Sequence, residues 1–220
     1  MKIIECPRDA MQGWKSFIPT QSKVDYINQL LKVGFDTIDF GSFVSPKAIP
    51  QMRDTAEVLS QLDLSNSPTK LLAIVANLRG ADEACQHPEI HYLGFPLSLS
   101  ETFQQKNTNK SISEALDTVQ ETQNLCSKYD KVLVVYLSMG FGNPYGDPYE
   151  PSLVAEFVNK LDAMGIEIIS LSDTIGVSSP ANIKALFQEV IPAFPHIEFG
   201  AHLHSTKESA WEKIVAVYQA

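Results

Sequence analysis

Apolar, β-branched runs alternate with amphipathic segments of helix length along the chain. Seven runs have the length and composition of buried strands, at residues 2–6, 35–40, 70–76, 90–97, 131–138, 166–173 and 196–204. Segments that suit helices follow them, near residues 20–33, 50–62, 79–87, 112–128, 151–164, 180–191 and 207–219. Because the strand candidates are almost continuously apolar, they predict a parallel sheet that is covered on both faces.

Strand–helix units in series are typical of the (β/α)8 TIM barrel, an α/β fold. We predict such a barrel, with seven units present and the eighth strand missing at the C-terminus. An open doubly wound sheet is the alternative, but no G-x-G-x-x-G or Walker A motif supports its nucleotide-binding version. No linker or low-complexity tract interrupts the chain, so residues 1–220 are predicted to form one catalytic domain that is incomplete at its C-terminus.

The composition is that of a globular protein, and its formal net charge of -9 argues against a nucleic-acid partner, which needs a basic face. The three cysteines have no C-x-x-C spacing and indicate reduced thiols rather than a disulfide framework. We find no signal peptide and no apolar run near the roughly 18 residues that a membrane span requires. We therefore expect a cytoplasmic protein without a membrane partner.

Polar side chains gather where the predicted strands end. They are Arg8, Asp9, Asp39, Ser42, Asn77, Ser138, Asp173, His202 and His204. In a (β/α)8 barrel the carboxyl ends of all strands lie on one face, and active sites form there. The sequence therefore predicts that these groups share one site although they are far apart in the chain.

His202 and His204 form an H-x-H pair on the last predicted strand. Alternate strand residues project to the same side, roughly 6.5–7 Å apart along the strand, so both imidazoles can ligate one cation. With the Asp9 carboxylate they form an N/N/O ligand set that suits Mn, Fe or Zn better than Mg. Such histidine pairs also occur as surface or packing residues, and only their place at a strand end and the Asp9 partner favour a metal site.

Arg8 and Asp9 follow the first strand directly and are open to two interpretations. A local surface ion pair is common and contributes little to stability. In the functional interpretation Asp9 holds a metal, while the Arg8 guanidinium donates hydrogen bonds to oxygen charge that develops during a reaction.

Five segments, taken in order, resemble the motifs of the 3-hydroxy-3-methylglutaryl-CoA lyase family. They are ECPRDAMQ (5–12), IDFGSFVSPKAIPQM (38–52), SETFQQKN (100–107), SLSDTIGVSSP (170–180) and AHLHST (201–206). The second segment is the most specific and favours the lyase over related isopropylmalate and homocitrate synthases. The resemblance implies a metal-dependent (β/α)8 lyase that cleaves a 3-hydroxy-3-methylglutaryl thioester to acetyl-CoA and acetoacetate. It implies Mg or Mn as the divalent cofactor, with Zn as an alternative.

The resemblance also implies roles for particular residues. The expected metal ligands are Asp9, His202 and His204, and the expected catalytic residues are Arg8, Asp39 and Asp173. The expected substrate-binding residues are Gln12, Ser42, Asn77 and Lys106, the last of these towards the phosphates of CoA. An acyl-CoA substrate and a second copy of the chain, in a homodimer, are the expected partners.

Departures from the family pattern favour a divergent branch. Asp39 stands where the family usually has glutamate, and Ser205 stands where it usually has aspartate. The family's eighth strand, with its asparagine ligand and cysteine-bearing loop, has no counterpart, so we expect a fragment of a longer protein that binds metal weakly and has little lyase activity. Two alternatives stay open: a Claisen-type synthase or 2-oxo acid aldolase, and a non-catalytic fragment that needs a partner to close the barrel.

Overall fold

The computed structural model describes residues 1–220, in which strands and helices alternate along the chain. The strands are β1 (Ile4–Glu5), β2 (Thr37–Ser42), β3 (Lys70–Ile74), β4 (Ile90–Ser98), β5 (Val132–Ser138), β6 (Ile168–Asp173) and β7 (Glu198–Leu203). The helices are α1 (Pro7–Gln12), α2 (Thr20–Leu30), α3 (Thr55–Leu59), α4 (Leu78–Cys85), α5 (Glu101–Thr108), α6 (Ile112–Lys128), α7 (Pro151–Ala163), α8 (Pro180–Ala193) and α9 (Ala210–Gln219).

All seven predicted strands are present, and their order in the sheet is their order in the chain. The strand pairs are parallel, as the apolar runs predict. The helix predictions are less complete. The single helix predicted over 50–62 is a 3-10 turn at Pro50–Met52 followed by the short α3, and the helices α1 and α5 lie where the sequence predicts no helix.

The chain divides into two compact units. Unit 1 comprises Met1–Gly94 and Asn124–Val132, and unit 2 comprises Phe95–Gln123 and Leu133–Ala220. The boundaries fall within β4 and α6 and at the start of β5 rather than in a linker. A single domain stays a prediction.

Unit 1 is built around β2, whose six residues are all buried. The register between β2 and β3 shifts between Asp39 and Gly41, which changes how the end of β2 meets its neighbour. Gly41 lies so close to α3 that a Cβ atom there would be 2.5 Å from the Thr55 Cγ2 methyl, so this position requires glycine. The Thr55 hydroxyl accepts a hydrogen bond from the Ser42 amide at 3.1 Å and so fixes the carboxyl end of β2.

Unit 2 contains β5, β6 and β7, with α7, α8 and α9. β6 is almost entirely buried, whereas every residue of β7 is at least partly exposed. The two strands pair from Ile168 and Glu198 through to Asp173 and Leu203, and the His204 amide donates one further hydrogen bond to the Asp173 carbonyl at 3.2 Å. This pairing places Asp173 beside the H-x-H segment.

None of the helices combines the length and the apolar composition that a membrane crossing requires.

Candidate active site

The side chain of Arg8 is fixed by a buried ion pair with Asp39. Arg8 lies in the first turn of α1, directly after β1, and Asp39 is fully buried in the middle of β2. The Arg8 Nε lies 3.2 Å from each carboxylate oxygen of Asp39, and Nη2 lies 2.6 Å from Oδ2. Charge-assisted hydrogen bonds from two nitrogens of one guanidinium fix both the position and the orientation of that group. Asp39 therefore orients the guanidinium from one side.

The remaining edge of the guanidinium binds Asp9 and Gln12. The Arg8 Nη1 donates to Asp9 Oδ1 and to Gln12 Oε1, both at 2.9 Å. Gln12 Nε2 also donates to Asp9 Oδ1, at 3.0 Å. The short helix α1 makes this triangle possible, because residues three and four apart lie on one helix face. The structure thus brings together four predicted site residues, which are Arg8, Asp9, Gln12 and Asp39. Gln12 hydrogen-bonds Asp9 and so helps to orient its carboxylate.

Ser42 and Asn77 also lie at strand ends of unit 1. The Ser42 hydroxyl donates to the Ile74 carbonyl at 3.1 Å, which joins the ends of β2 and β3. The Asn77 Oδ1 accepts from the Gly80 amide at 2.9 Å and caps α4. These contacts give both residues a structural role, and their predicted substrate contacts stay predictions.

In unit 2 the two histidines lie side by side at the end of β7. Their ring centroids are 5.3 Å apart, and the Tyr136 ring of β5 meets His202 edge-on at 5.9 Å. His202 is half-buried and His204 is exposed, and each can offer one ring nitrogen to a metal ion. The expected same-side arrangement of the two imidazoles is confirmed.

Asp173, at the end of β6, is bound entirely by neighbouring protein groups. Its Oδ1 accepts from the Val177 amide at 2.9 Å, and its Oδ2 accepts from the Ser178 amide at 2.9 Å and from the Lys213 ammonium at 3.1 Å. Burial raises the pKa of Asp173, but the hydrogen bonds from Ser178, Lys213 and Val177 outweigh it and hold the pKa below its usual value. Asp173 is therefore an ionised carboxylate that organises the loop after β6.

Lys213 is a site-adjacent residue that the sequence analysis missed. It lies on α9, and its side chain is 4% exposed. The sequence does contain a signal for this role. Lys213 and Ala216 are three residues apart and form the buried face of α9, and a lysine on a buried face needs a charged or polar partner.

Lys106 lies on α5, with its ammonium 4.4 Å from the centre of the Tyr145 ring. The loop that carries Tyr145 is tied to the start of α5, because Asp147 accepts hydrogen bonds from the Ser100 hydroxyl at 2.5 Å and from the Thr102 amide at 2.9 Å. Lys106 and this loop thus form one surface, and the contact of Lys106 with CoA stays a prediction.

The alternating fold and the polar residues at its strand ends define a protein of the (β/α)-barrel class. The family model described as HMGL-like matches residues 2–216. Hydroxymethylglutaryl-CoA lyase YngG of Bacillus subtilis is 34% identical over 213 residues, which are 97% of this chain and 71% of that protein. This chain therefore belongs to the HMGL-like family.

Solved structures agree with this assignment. The crystal structure of the Bacillus subtilis HMG-CoA lyase superposes with a TM-score of 0.92 at 34% identity, over 99% of this chain and 73% of that one. An HMG-CoA lyase from Acinetobacter baumannii, in complex with coenzyme A and 3-methylmalate, gives a TM-score of 0.91 at 28% identity, over 99% and 71%. The predicted TIM-barrel fold with seven of eight units is confirmed, and so, at the level of the family, is the carbon–carbon lyase class.

Proposed function

We propose that this chain contributes to the metal-dependent cleavage of a 3-hydroxy-3-methylglutaryl-CoA-type thioester to acetyl-CoA and acetoacetate. One observation carries the proposal. The chain matches the HMGL-like family over residues 2–216, and within that match Arg8 and Asp9 are held in a defined network at the end of β1. The same match includes the paired imidazoles at the end of β7.

Asp9, His202 and His204 are proposed as the protein ligands of a divalent cation. A carboxylate oxygen and two imidazole nitrogens suit Mn or Zn on chemical grounds, and the family resemblance adds Mg. Asp9 is held on one oxygen by Arg8 and Gln12, which is the kind of outer contact that orients a ligating carboxylate. When bound, the cation would polarise the tertiary hydroxyl of the substrate and make its proton easier to remove.

Arg8 is proposed to stabilise the enolate that leaves. Breaking the carbon–carbon bond moves an electron pair onto the thioester carbonyl oxygen, and a guanidinium fixed in advance can donate a hydrogen bond to that charge. Because Asp39 is fully buried and accepts three contacts from Arg8, we assign it to positioning Arg8. The hydroxyl proton then passes to solvent water, and the released enolate takes up a proton from water to give acetyl-CoA.

We also propose that the substrate is an acyl-CoA, that the protein is cytoplasmic and that it forms a homodimer. The coenzyme A in the Acinetobacter baumannii complex supports the first of these. Lys106 and its loop would then lie at the CoA end of the substrate.

The decisive experiment measures product and metal on the same protein. After removal of metal by a chelator, we expect no acetyl-CoA from 3-hydroxy-3-methylglutaryl-CoA, and we expect the low turnover of this chain to return with Mn²⁺. H202A and H204A should weaken Mn²⁺ binding measured by electron paramagnetic resonance. H196A is the matched control, because His196 is an exposed histidine of unit 2 that pairs with Asp162. Metal-independent turnover, or unchanged Mn²⁺ affinity in H202A and H204A, would contradict the proposal.

A further inference from the structure

We propose that Lys213 is a positioning residue that fixes the metal-binding end of β7. The inference rests on the proposed function, since it assigns a role in holding His204 as a ligand. It concerns unit 2 alone, and it follows from three contacts of one buried ammonium group.

The Lys213 ammonium has an acceptor for each of its three hydrogens. Its Nζ lies 3.1 Å from Asp173 Oδ2, 3.0 Å from the His204 carbonyl oxygen and 3.4 Å from the Gly176 carbonyl oxygen. Three contacts use the full donor capacity of an ammonium group. The lysine therefore ties α9, the loop after β6 and the segment after β7 to one point.

His204 lies just outside the regular strand and depends on this point. The last pair of the β6–β7 ladder joins Asp173 to Leu203, one residue before it. The His204 amide still donates to the Asp173 carbonyl at 3.2 Å, but its own carbonyl is held by Lys213. Both polar groups of the His204 main chain are thus held. The Asp173 backbone carbonyl accepts from the His204 amide, and the Lys213 side chain donates to the His204 carbonyl.

The loop after β6 lies close to the same carbonyl. A Cβ atom on Gly176, which has a φ of +76, would lie 3.4 Å from the His204 carbonyl oxygen. The Asp173 carboxylate holds this loop through the Val177 and Ser178 amides. The position of His204 is therefore set by a loop, a strand and a helix that meet at the Lys213 ammonium.

A metal site needs this kind of support. Ligand groups must be held within about 0.5 Å of a productive geometry by the contacts behind them. Removal of such a supporting contact typically lowers metal affinity about 10–100-fold. If Lys213 served only to stabilise the fold, its removal together with the charge on Asp173 would leave the metal affinity unchanged.

The test compares Mn²⁺ affinity with stability in matched variants. K213M leaves the buried Asp173 carboxylate with its two amide hydrogen bonds but without a counter-charge, so it should lower the urea midpoint of unfolding and weaken Mn²⁺ binding. The double variant D173N/K213M removes both charges. We expect it to regain much of the unfolding midpoint while its Mn²⁺ dissociation constant stays about 10–100-fold above that of the wild type.

K23M is the matched control for loss of a buried lysine. Lys23 is 2% exposed and pairs with Asp54 at 2.6 Å in unit 1, so its loss should lower the midpoint without changing Mn²⁺ affinity. Wild-type Mn²⁺ affinity in D173N/K213M would overturn the role of Lys213 and leave the proposed function standing. Absence of Mn²⁺ binding by the wild type, or binding that H202A and H204A leave unchanged, would instead overturn the proposed function.

Discussion

Replacement of Arg8 by lysine tests the proposed chemistry most directly. R8K keeps a positive charge beside Asp39 but loses the planar fork of donors. In the structure that fork makes three contacts to Asp39 and one each to Asp9 and Gln12. A lysine ammonium is a single point with three hydrogens, and it does not reproduce contacts along two edges of a planar group.

The expected magnitudes for stability and for turnover differ. Full loss of the cation would leave the buried Asp39 charge uncompensated, which costs about 3–5 kcal/mol of unfolding free energy. Lysine retains that charge and loses single hydrogen bonds, so we expect a loss of about 1.5–3 kcal/mol. Loss of one fixed donor to a developing oxyanion lowers kcat about 10²–10³-fold, or about 2.7–4 kcal/mol.

The assay follows acetyl-CoA formation by chromatography at saturating Mn²⁺ and substrate, so that kcat is separated from KM. Urea unfolding of the same preparation gives the stability term. R53K is the matched control, because the Arg53 guanidinium stacks on the Phe17 ring at 3.8 Å and has no assigned role in the site. A kcat for R8K that equals that of the wild type, with R8K correctly folded, would refute the role of Arg8 in stabilising the enolate.

Further predictions concern packing and thiol chemistry in unit 1. G80A should lower the unfolding free energy by about 1–3 kcal/mol in urea titrations, because a Cβ there would lie 2.1 Å from the Phe43 carbonyl oxygen. G13A, which meets nothing within 4 Å, should leave stability almost unchanged, and equal losses would contradict the packing argument. Cys85 lines a pocket of about 410 Å³, and the hydrogen bond from the Cys126 thiol lowers its pKa, while the pKa of Cys126 is raised. Because Cys85 lines this pocket and Cys126 is fully buried, iodoacetamide should label Cys85 at lower pH than Cys126 in peptide mass spectra, and the reverse order would contradict both the burial and the direction of the pKa shifts.

Short helices were the least predictable elements of the fold. The predicted strands follow from apolar runs, and the burial of β2 to β6 agrees with this reason, whereas β1 and β7 are partly exposed. α1 has only six residues and carries no apolar period long enough to be recognised, although Pro7 at its first turn suits a helix start. The 3-10 turn before α3 divides a segment whose composition suits one continuous helix. Such local choices depend on contacts with neighbouring elements.

The candidate site also has parts that could be predicted from the sequence and parts that could not. The H-x-H spacing alone placed His202 and His204 on one side of β7, because side chains alternate along a strand. The contact of Gln12 with Asp9 follows the i, i+3 spacing of a helix, but α1 was not predicted and the contact was therefore missed. Asn77 caps α4 through the Gly80 amide, a role that asparagine directly before a helix commonly takes but that was not predicted for it.

The sequence by itself determined the alternation of buried strands and helices and the polar residues that follow each strand. These features are local, since burial of apolar side chains drives them and their period is readable along the chain. The tertiary structure alone decided which charges meet. Arg8 pairs with Asp39 across 31 residues, and Lys213 reaches Asp173 across 40. A buried charge is stable only beside its partner, and chain folding, not sequence spacing, brings such partners together.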